Sequence, residues 1–267
     1  MKRALIGVAI VAALAAGALA WSIVSAYRGF SQDVFVQFDR GTSAIQMGRQ
    51  LARAGVIRFP WQFWIERALH SSAKLQAGEY RFSEPASAGE VFDRIARGDV
   101  YYFEFTVPEG SNMFDIARSL EAAGAMPAAD FLRAASDPAP VRDIAPSAVT
   151  LEGYLFPETY RLTHATTAHE LVREMIAQFR NHWKKLAAGE DANVTDTVTL
   201  ASLIEKETAV SAERPLIAGV FNNRLRIGMP LQCDPTTIYA ALLDNRYRDT
   251  IHQSDLASRN PYNTYQH

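Results

Sequence analysis

The stretch of this 267-residue chain best suited to chemistry is Leu200-Ala201-Ser202-Leu203-Ile204-Glu205-Lys206-Glu207-Thr208. On a helix turning ~100° per residue, Leu200, Leu203, Ile204 and Glu207 share one stripe. Glu205 falls ~160° away, near Val198, Ser202 and Ala209. A carboxylate on an apolar stripe is unusual, because Glu is seldom buried without a partner. Burial against Leu203 and Ile204 would keep such an acid protonated near neutral pH, the state a general acid needs. The same position also suits an ion pair from Glu207 to Arg214 or Arg224 on the following helix. The helical wheel alone does not separate the two readings.

Composition narrows the remaining chemistry. The net charge of −2 provides no basic footprint for nucleic acid. A single cysteine, Cys233, excludes an internal disulfide and a cysteine-based zinc site. The six histidines show no ligand spacing and no His-Glu-x-x-His occurs, so a zincin-type metal site is not expected. With 48% hydrophobic and 21% charged residues the chain is an ordinary folding sequence with room for two modest domains.

The elements that must position the carboxylate follow from patterning. Ala4 to Ala26 carries no charge and follows Lys2 and Arg3. As a helix it would extend ~34 Å, against a bilayer core of about 30 Å, with the N-terminus cytoplasmic by the positive-inside rule. Ala18-Leu19-Ala20 resembles a signal-peptide cleavage site, but the apolar run continues through Trp21, Ile23 and Val24, which favours a retained anchor. Either reading exports the rest of the chain.

Beyond it, two segments repeat one pattern of strand, capped helix and closing glycine. The strand-like Phe35–Phe38 and Phe103–Val107 each precede such a unit, and Gly41, Thr42, Ile45, Leu51 and Gly55 recur at one spacing as Gly110, Ser111, Phe114, Leu120 and Gly124. Gly78–Phe82 reads as a strand between them. Ala88–Arg97 reads as a helix burying Val91, Phe92 and Ile95 and ending at Gly98. Asp137-Pro138-Ala139-Pro140 and Pro146 mark a break. Helices then dominate: His169–Leu186, a helix capped by Thr195-Asp196 and running to about Val210, and Ala212–Arg226. In the last, Leu216, Ile217, Val220, Phe221 and Leu225 are expected on the buried face. Asp234-Pro235 opens another, with Asp234 as N-cap. The expected class is α+β, with an anchor over 1–30, a small module over 31–140 and a mainly helical domain over 141–267.

Five ordered motifs carry a resemblance. They are Leu151-Glu152-Gly153-Tyr154-Leu155-Phe156-Pro157-Glu158-Thr159-Tyr160, Leu200–Thr208, Gly219-Val220-Phe221-Asn222-Asn223-Arg224-Leu225, Gly228–Thr236 and Tyr262-Asn263-Thr264-Tyr265. Together they resemble the endolytic murein transglycosylases of the MltG/YceG type, over essentially the whole chain. The resemblance implies a LysM-like module followed by a lysozyme-like catalytic domain, anchored by one pass in the bacterial inner membrane with its catalytic part outside the cytoplasm. It implies cleavage of the MurNAc–GlcNAc β-1,4 bond within peptidoglycan strands to give 1,6-anhydro-MurNAc ends, terminating strand elongation beside peptidoglycan synthases. The alternative is a non-catalytic, membrane-anchored peptidoglycan-binding scaffold.

The resemblance also points to Glu207 as the catalytic acid, with Glu205 as runner-up. Ordinary glycosidases need two carboxyl groups. In the transglycosylase reaction the sugar's own 6-hydroxyl is the nucleophile, so one group can give and then retake the proton, and the resemblance implies no metal or organic cofactor. Gln232, Asn222, Tyr262 and Asn263 are the candidates for holding sugar groups, with turn and capping roles as the competing reading. Glu152 and Glu158 are expected to brace the first motif. The family continues beyond the Tyr-Asn-Thr-Tyr block, so the resemblance implies a form shortened at its C-terminus.

Overall fold

The structure is a computed structural model that describes residues 2–186 and 193–267, without the side chains at 2–5, 8, 9, 12, 15 and 16. It is an α+β fold in which helices dominate and the described sheets are two small two-stranded ones. The chain divides into two compact units, residues 1–104 with 161–165, and residues 105–160 with 166–267. The proline-rich break at 137–146 therefore lies within the second unit.

The first unit begins with helix α1 (Lys2–Val24). Among the described residues no helix is long and apolar enough to cross a membrane. Several side chains of the uncharged run 4–26 lie outside that described set. Strand β1 (Val34–Phe38), α2 (Ala44–Arg53), α3 (Pro60–Leu69), β2 (Gly78–Phe82) and α4 (Ala88–Arg97) follow. β1 and β2 pair antiparallel, with Val34 opposite Phe82, Val36 opposite Tyr80 and Phe38 opposite Gly78. Alternation sends Val36, Phe38, Tyr80 and Phe82 into one core with Leu51, Phe63, Val91, Phe92 and Ile95. Capping boxes at Ser43/Gln46 and Ser87/Glu90 open α2 and α4. Gly98, at φ +73°, closes α4 in the left-handed conformation that only glycine adopts without strain.

Strands β3 (Phe103–Thr106) and β4 (Thr159–Leu162) pair with each other, and each contributes residues to both units. Between them in sequence lie α5 (Met113–Ala122) and α6 (Ala128–Ala135). The second unit continues with α7 (Ala168–Leu186), α8 (Val194–Glu207), α9 (Arg214–Arg226), α10 (Asp234–Leu243) and α11 (Gln253–Leu256). α5, α6 and α7 build its core from Met113, Ile116, Leu120, Phe131, Leu171, Met175 and Ile176, with Leu151 and Tyr160. The repeated pattern is present locally. Asn112 caps α5 with Asp115 as Ser43 caps α2 with Gln46, and Gly55 and Gly124 both take positive φ one residue beyond the cap. The two strands of the repeat pair with different partners.

Three local expectations are corrected. α8 is capped by Asn193, whose side chain accepts the Asp196 N–H, and it ends at Glu207 rather than near Val210. α10 is preceded by Cys233, so Asp234 is its first helical residue and not its cap. On α9 only Phe221 is buried, while Leu216 is 73% and Leu225 56% exposed. The apolar positions from Leu216 to Leu225 spread over ~180° of the α9 surface, a wider arc than one neighbouring helix can cover.

Candidate active site

α8 delivers Glu207 at its last helical position. The chain leaves the helix there because Thr208 is extended, at φ −141° and ψ 137°. The Thr208 hydroxyl donates to Glu213 Oε2 at 2.7 Å and accepts the Val210 N–H at 3.0 Å, which fixes the exit. The Glu207 side chain is consequently exposed. The burial expected from the wheel is absent, because Leu203 and Ile204 are themselves only partly covered and the carboxylate lies at the helix end.

One neighbour does hold Glu207. The Cys233 thiol donates to Glu207 Oε2 at 3.3 Å. Cys233 is buried, and burial, followed by the hydrogen bond to Glu207 and its charge, pushes the thiol up to about 12. It therefore remains a neutral donor at any ordinary pH. The segment carrying it is clamped from both sides. Arg224 on α9 donates to the carbonyls of Pro230 and Leu231 at 3.2 and 2.7 Å. Thr264 accepts the Gln232 N–H on its carbonyl at 3.0 Å and the Cys233 N–H on its hydroxyl at 2.9 Å.

Four of the five ordered motifs thus meet around the end of α8, and the comparisons agree with them. Residues 36–267 match the YceG-like family. The chain belongs to that family. It is 30% identical over 251 residues to the endolytic murein transglycosylase of Bacillus subtilis, covering 87% of this chain and 69% of that protein. It is 28% identical over 237 residues to the endolytic murein transglycosylase of Streptococcus pneumoniae, covering 78% of this chain and 43% of that protein. A crystal structure of a YceG-like protein from Listeria monocytogenes superposes with a TM-score of 0.53 at 27% identity, covering 88% of this chain and 83% of that one.

Within this YceG-like chain the other candidates separate by what their polar atoms already do. Glu205 is engaged by Arg214 at 2.7 Å, so the ion pair considered for Glu207 belongs to its neighbour. Lys206 reaches the Gly110 carbonyl at 3.1 Å, tying the end of α8 to the turn before α5. Asn222 is exposed and its amide donates to Ala218 O at 2.9 Å within its own helix. Gln232 is exposed and sits at φ +53°, a left-handed backbone rare outside glycine and asparagine.

Asn263 is fully buried and its bonds are all internal. Its amide donates to the carbonyls of Asp255, Leu256 and Ser258, and its oxygen accepts from Thr237 and the Tyr265 N–H. That saturation leaves no group for a sugar and makes Asn263 the organiser of the last loop. Tyr262 beside it is 41% exposed and packs edge-on to Tyr239, with centroids 5.2 Å apart. Asp234 holds the Tyr265 hydroxyl at 2.5 Å.

Sequence reasoning did not single out Arg224, Tyr239 or Thr264 for these roles. Arg224 and Thr264 stand inside the recognised motifs, which was the available signal. Tyr239 lies on α10 outside them, and only tertiary packing reveals it.

Proposed function

We propose that this chain is an endolytic peptidoglycan transglycosylase, with Glu207 as its single acid–base group and glycan strands as its substrate. The observation that carries this reading is the exposed carboxylate at the end of α8, oriented by Cys233 within a family whose curated relatives are endolytic murein transglycosylases. Glu207 would protonate the glycosidic oxygen, which leaves MurNAc C1 as the GlcNAc 4-hydroxyl, and, as carboxylate, take the proton from the MurNAc 6-hydroxyl as it bonds to C1 and closes the anhydro ring. An exposed position suits this cycle, because a polymeric substrate must reach the carboxyl and itself excludes water from it. Glu205, occupied by Arg214, is the less suitable proton donor.

Tyr262 and Gln232 are the side chains in this region with groups free to face a sugar, and Asn222 could join them by releasing its own helix. Asn263 supports them from beneath. The finer assignments belong to the same proposal. Segment 31–140 is read as LysM-like and 141–267 as lysozyme-like. The uncharged run from Ala4 to Ala26 supports a single-pass anchor in the inner membrane, which would place Glu207 outside the cytoplasm near peptidoglycan synthases. The shared activity of the curated relatives disfavours a purely scaffolding role.

Digestion of purified peptidoglycan followed by mass analysis of the new ends tests the reaction. Anhydro ends are expected. Ends with added water would make the protein a hydrolase, and unchanged strands would leave it a binder.

A further inference from the structure

The least expected group in the second unit is Glu152. Its side chain is partly buried, and no described cation pairs with it. Oε2 accepts the Met113 N–H at 3.0 Å, at the first turn of α5. The Tyr239 hydroxyl on α10 adjoins the carboxyl, is itself fully covered, and completes no hydrogen bond of good geometry. Tyr239 continues outward, its ring 6.2 Å from Phe114 and 5.2 Å, edge-on, from the exposed ring of Tyr262. A partly buried carboxyl, a phenol with a covered hydroxyl and a half-exposed phenol therefore form one file from the base of α5 to the surface.

We infer that Glu152 is a positioning residue for glycan binding: its carboxyl seats Tyr239, and Tyr239 holds the Tyr262 ring as a face on which a sugar of the strand stacks. The inference rests on the glycan reading above. Tyrosine suits both roles, since a rigid ring packs while its hydroxyl needs a partner once buried. Removing the carboxyl takes from the covered Tyr239 hydroxyl the polar group beside it.

The direction in which its titration shifts follows from the surroundings. Burial is the largest influence on Glu152 and raises it above the usual carboxylate range, outweighing the Met113 N–H, Tyr239 and the Gly153 N–H, which act the other way. The charged or titratable groups facing it are Asp115 from α5, Tyr239 from α10 and Tyr262 from the last loop. Asp115, itself paired with Arg118, adds to the upward push. When protonated, the carboxyl can accept from Met113 and turn its proton toward the Tyr239 oxygen. Glutamine preserves that pattern and alanine destroys it.

The test measures binding of uncrosslinked glycan strands to the full chain carrying Glu207→Gln, at constant salt. Adding Glu152→Ala or Tyr262→Ala should each weaken binding about tenfold, while Glu152→Gln should stay within about twofold. Adding both alanines should cost no more than one, because they break the same file. Raising the pH should weaken binding when Glu152 is present and leave the Glu152→Gln form unchanged. Losses that multiply, or a Glu152→Ala form that folds and binds normally, overturn the inference. If the Glu207→Gln protein still cleaves strands, the assignment of Glu207 fails instead. The two failures are thus distinguishable.

Discussion

Helices α4 and α8 lie in different units and use their apolar residues in opposite ways. α4 commits Ala88, Val91, Phe92 and Ile95 to the core, with a capping box at one end and Gly98 at the other. In α8 Val194 is the one buried residue, and its last turn is held by polar contacts. These are Glu205 to Arg214, Lys206 to the Gly110 carbonyl, and Glu207 to Cys233. Nonpolar burial scales with area and tolerates little loss. Polar contacts on an exposed helix end contribute less to stability but fix where a carboxylate points. Stability should therefore be sensitive at α4, and activity at α8.

The largest effect should come from α8 and leave the fold alone. Glu207→Gln should lower formation of anhydro ends about 10²–10⁴-fold, the usual contribution of a positioned acid–base group. The melting temperature should change little, since the side chain is exposed and the amide oxygen still accepts from Cys233. A large drop in melting temperature would show that α8, like α4, is a packing element. The counterpart is Phe92→Ala. Phe92 is 1% exposed and lies against Phe63, with centroids 5.4 Å apart. Its removal should cost about 3–5 kcal/mol in denaturant unfolding. Residual folded protein should retain the activity of the parent per folded molecule.

The same contrast decides what can be read without a structure. β2, α4 and the capped helices of the repeat are local: an alternation or a stripe with its cap is contained in ten residues. α3 is short too, yet its pattern is concealed, because two of its buried residues are Gln62 and Glu66. Gln62 is satisfied only by folding, accepting the Phe59 N–H at 3.0 Å and donating to the Ser22 carbonyl at 2.6 Å. At the candidate site the wheel selected Glu207 but for a burial it does not have. The contacts that orient the carboxylate arise from Cys233, clamped by Arg224 on α9 and Thr264 near the chain end, which no period of 3.6 residues can bring together. Asn263 shows the converse. A polar residue in a recognised motif looked available for a ligand until the fold used every one of its bonds.

Glu152 blurs the division between packing and site residues, and pH can sharpen it. Its folded value is raised, so at pH below the ordinary carboxylate range both folded and unfolded states are protonated and no stability is lost. As pH rises through the unfolded value, near about 4.3, the unfolded chain releases this proton first. Stability then declines until the folded group also ionises. The Glu152→Gln protein lacks that decline. Its melting temperature minus the parent's should grow as pH increases from about 4 towards neutrality, with the sign reversed if the carboxylate were stabilised in the fold.

The smallest effect should come from Gln232, where backbone and side chain can be tested separately. Its φ of +53° costs a non-glycine residue about 1 kcal/mol, and the clamp by Thr264 sustains it. Glycine removes that strain but adds unfolded-state entropy of comparable size, about 0.5–1 kcal/mol, so Gln232→Gly should leave stability nearly unchanged. A β-branched residue tolerates the left-handed region poorly, and Gln232→Val should cost about 1 kcal/mol or more. The glycine variant keeps the Gln232 N–H on the Thr264 carbonyl and hence the placement of Cys233 against Glu207. A rise in KM with kcat retained would then assign the lost amide to substrate binding. A fall in kcat would show instead that the strained residue acts through the backbone that seats Cys233, placing Gln232 with the polar contacts that aim α8.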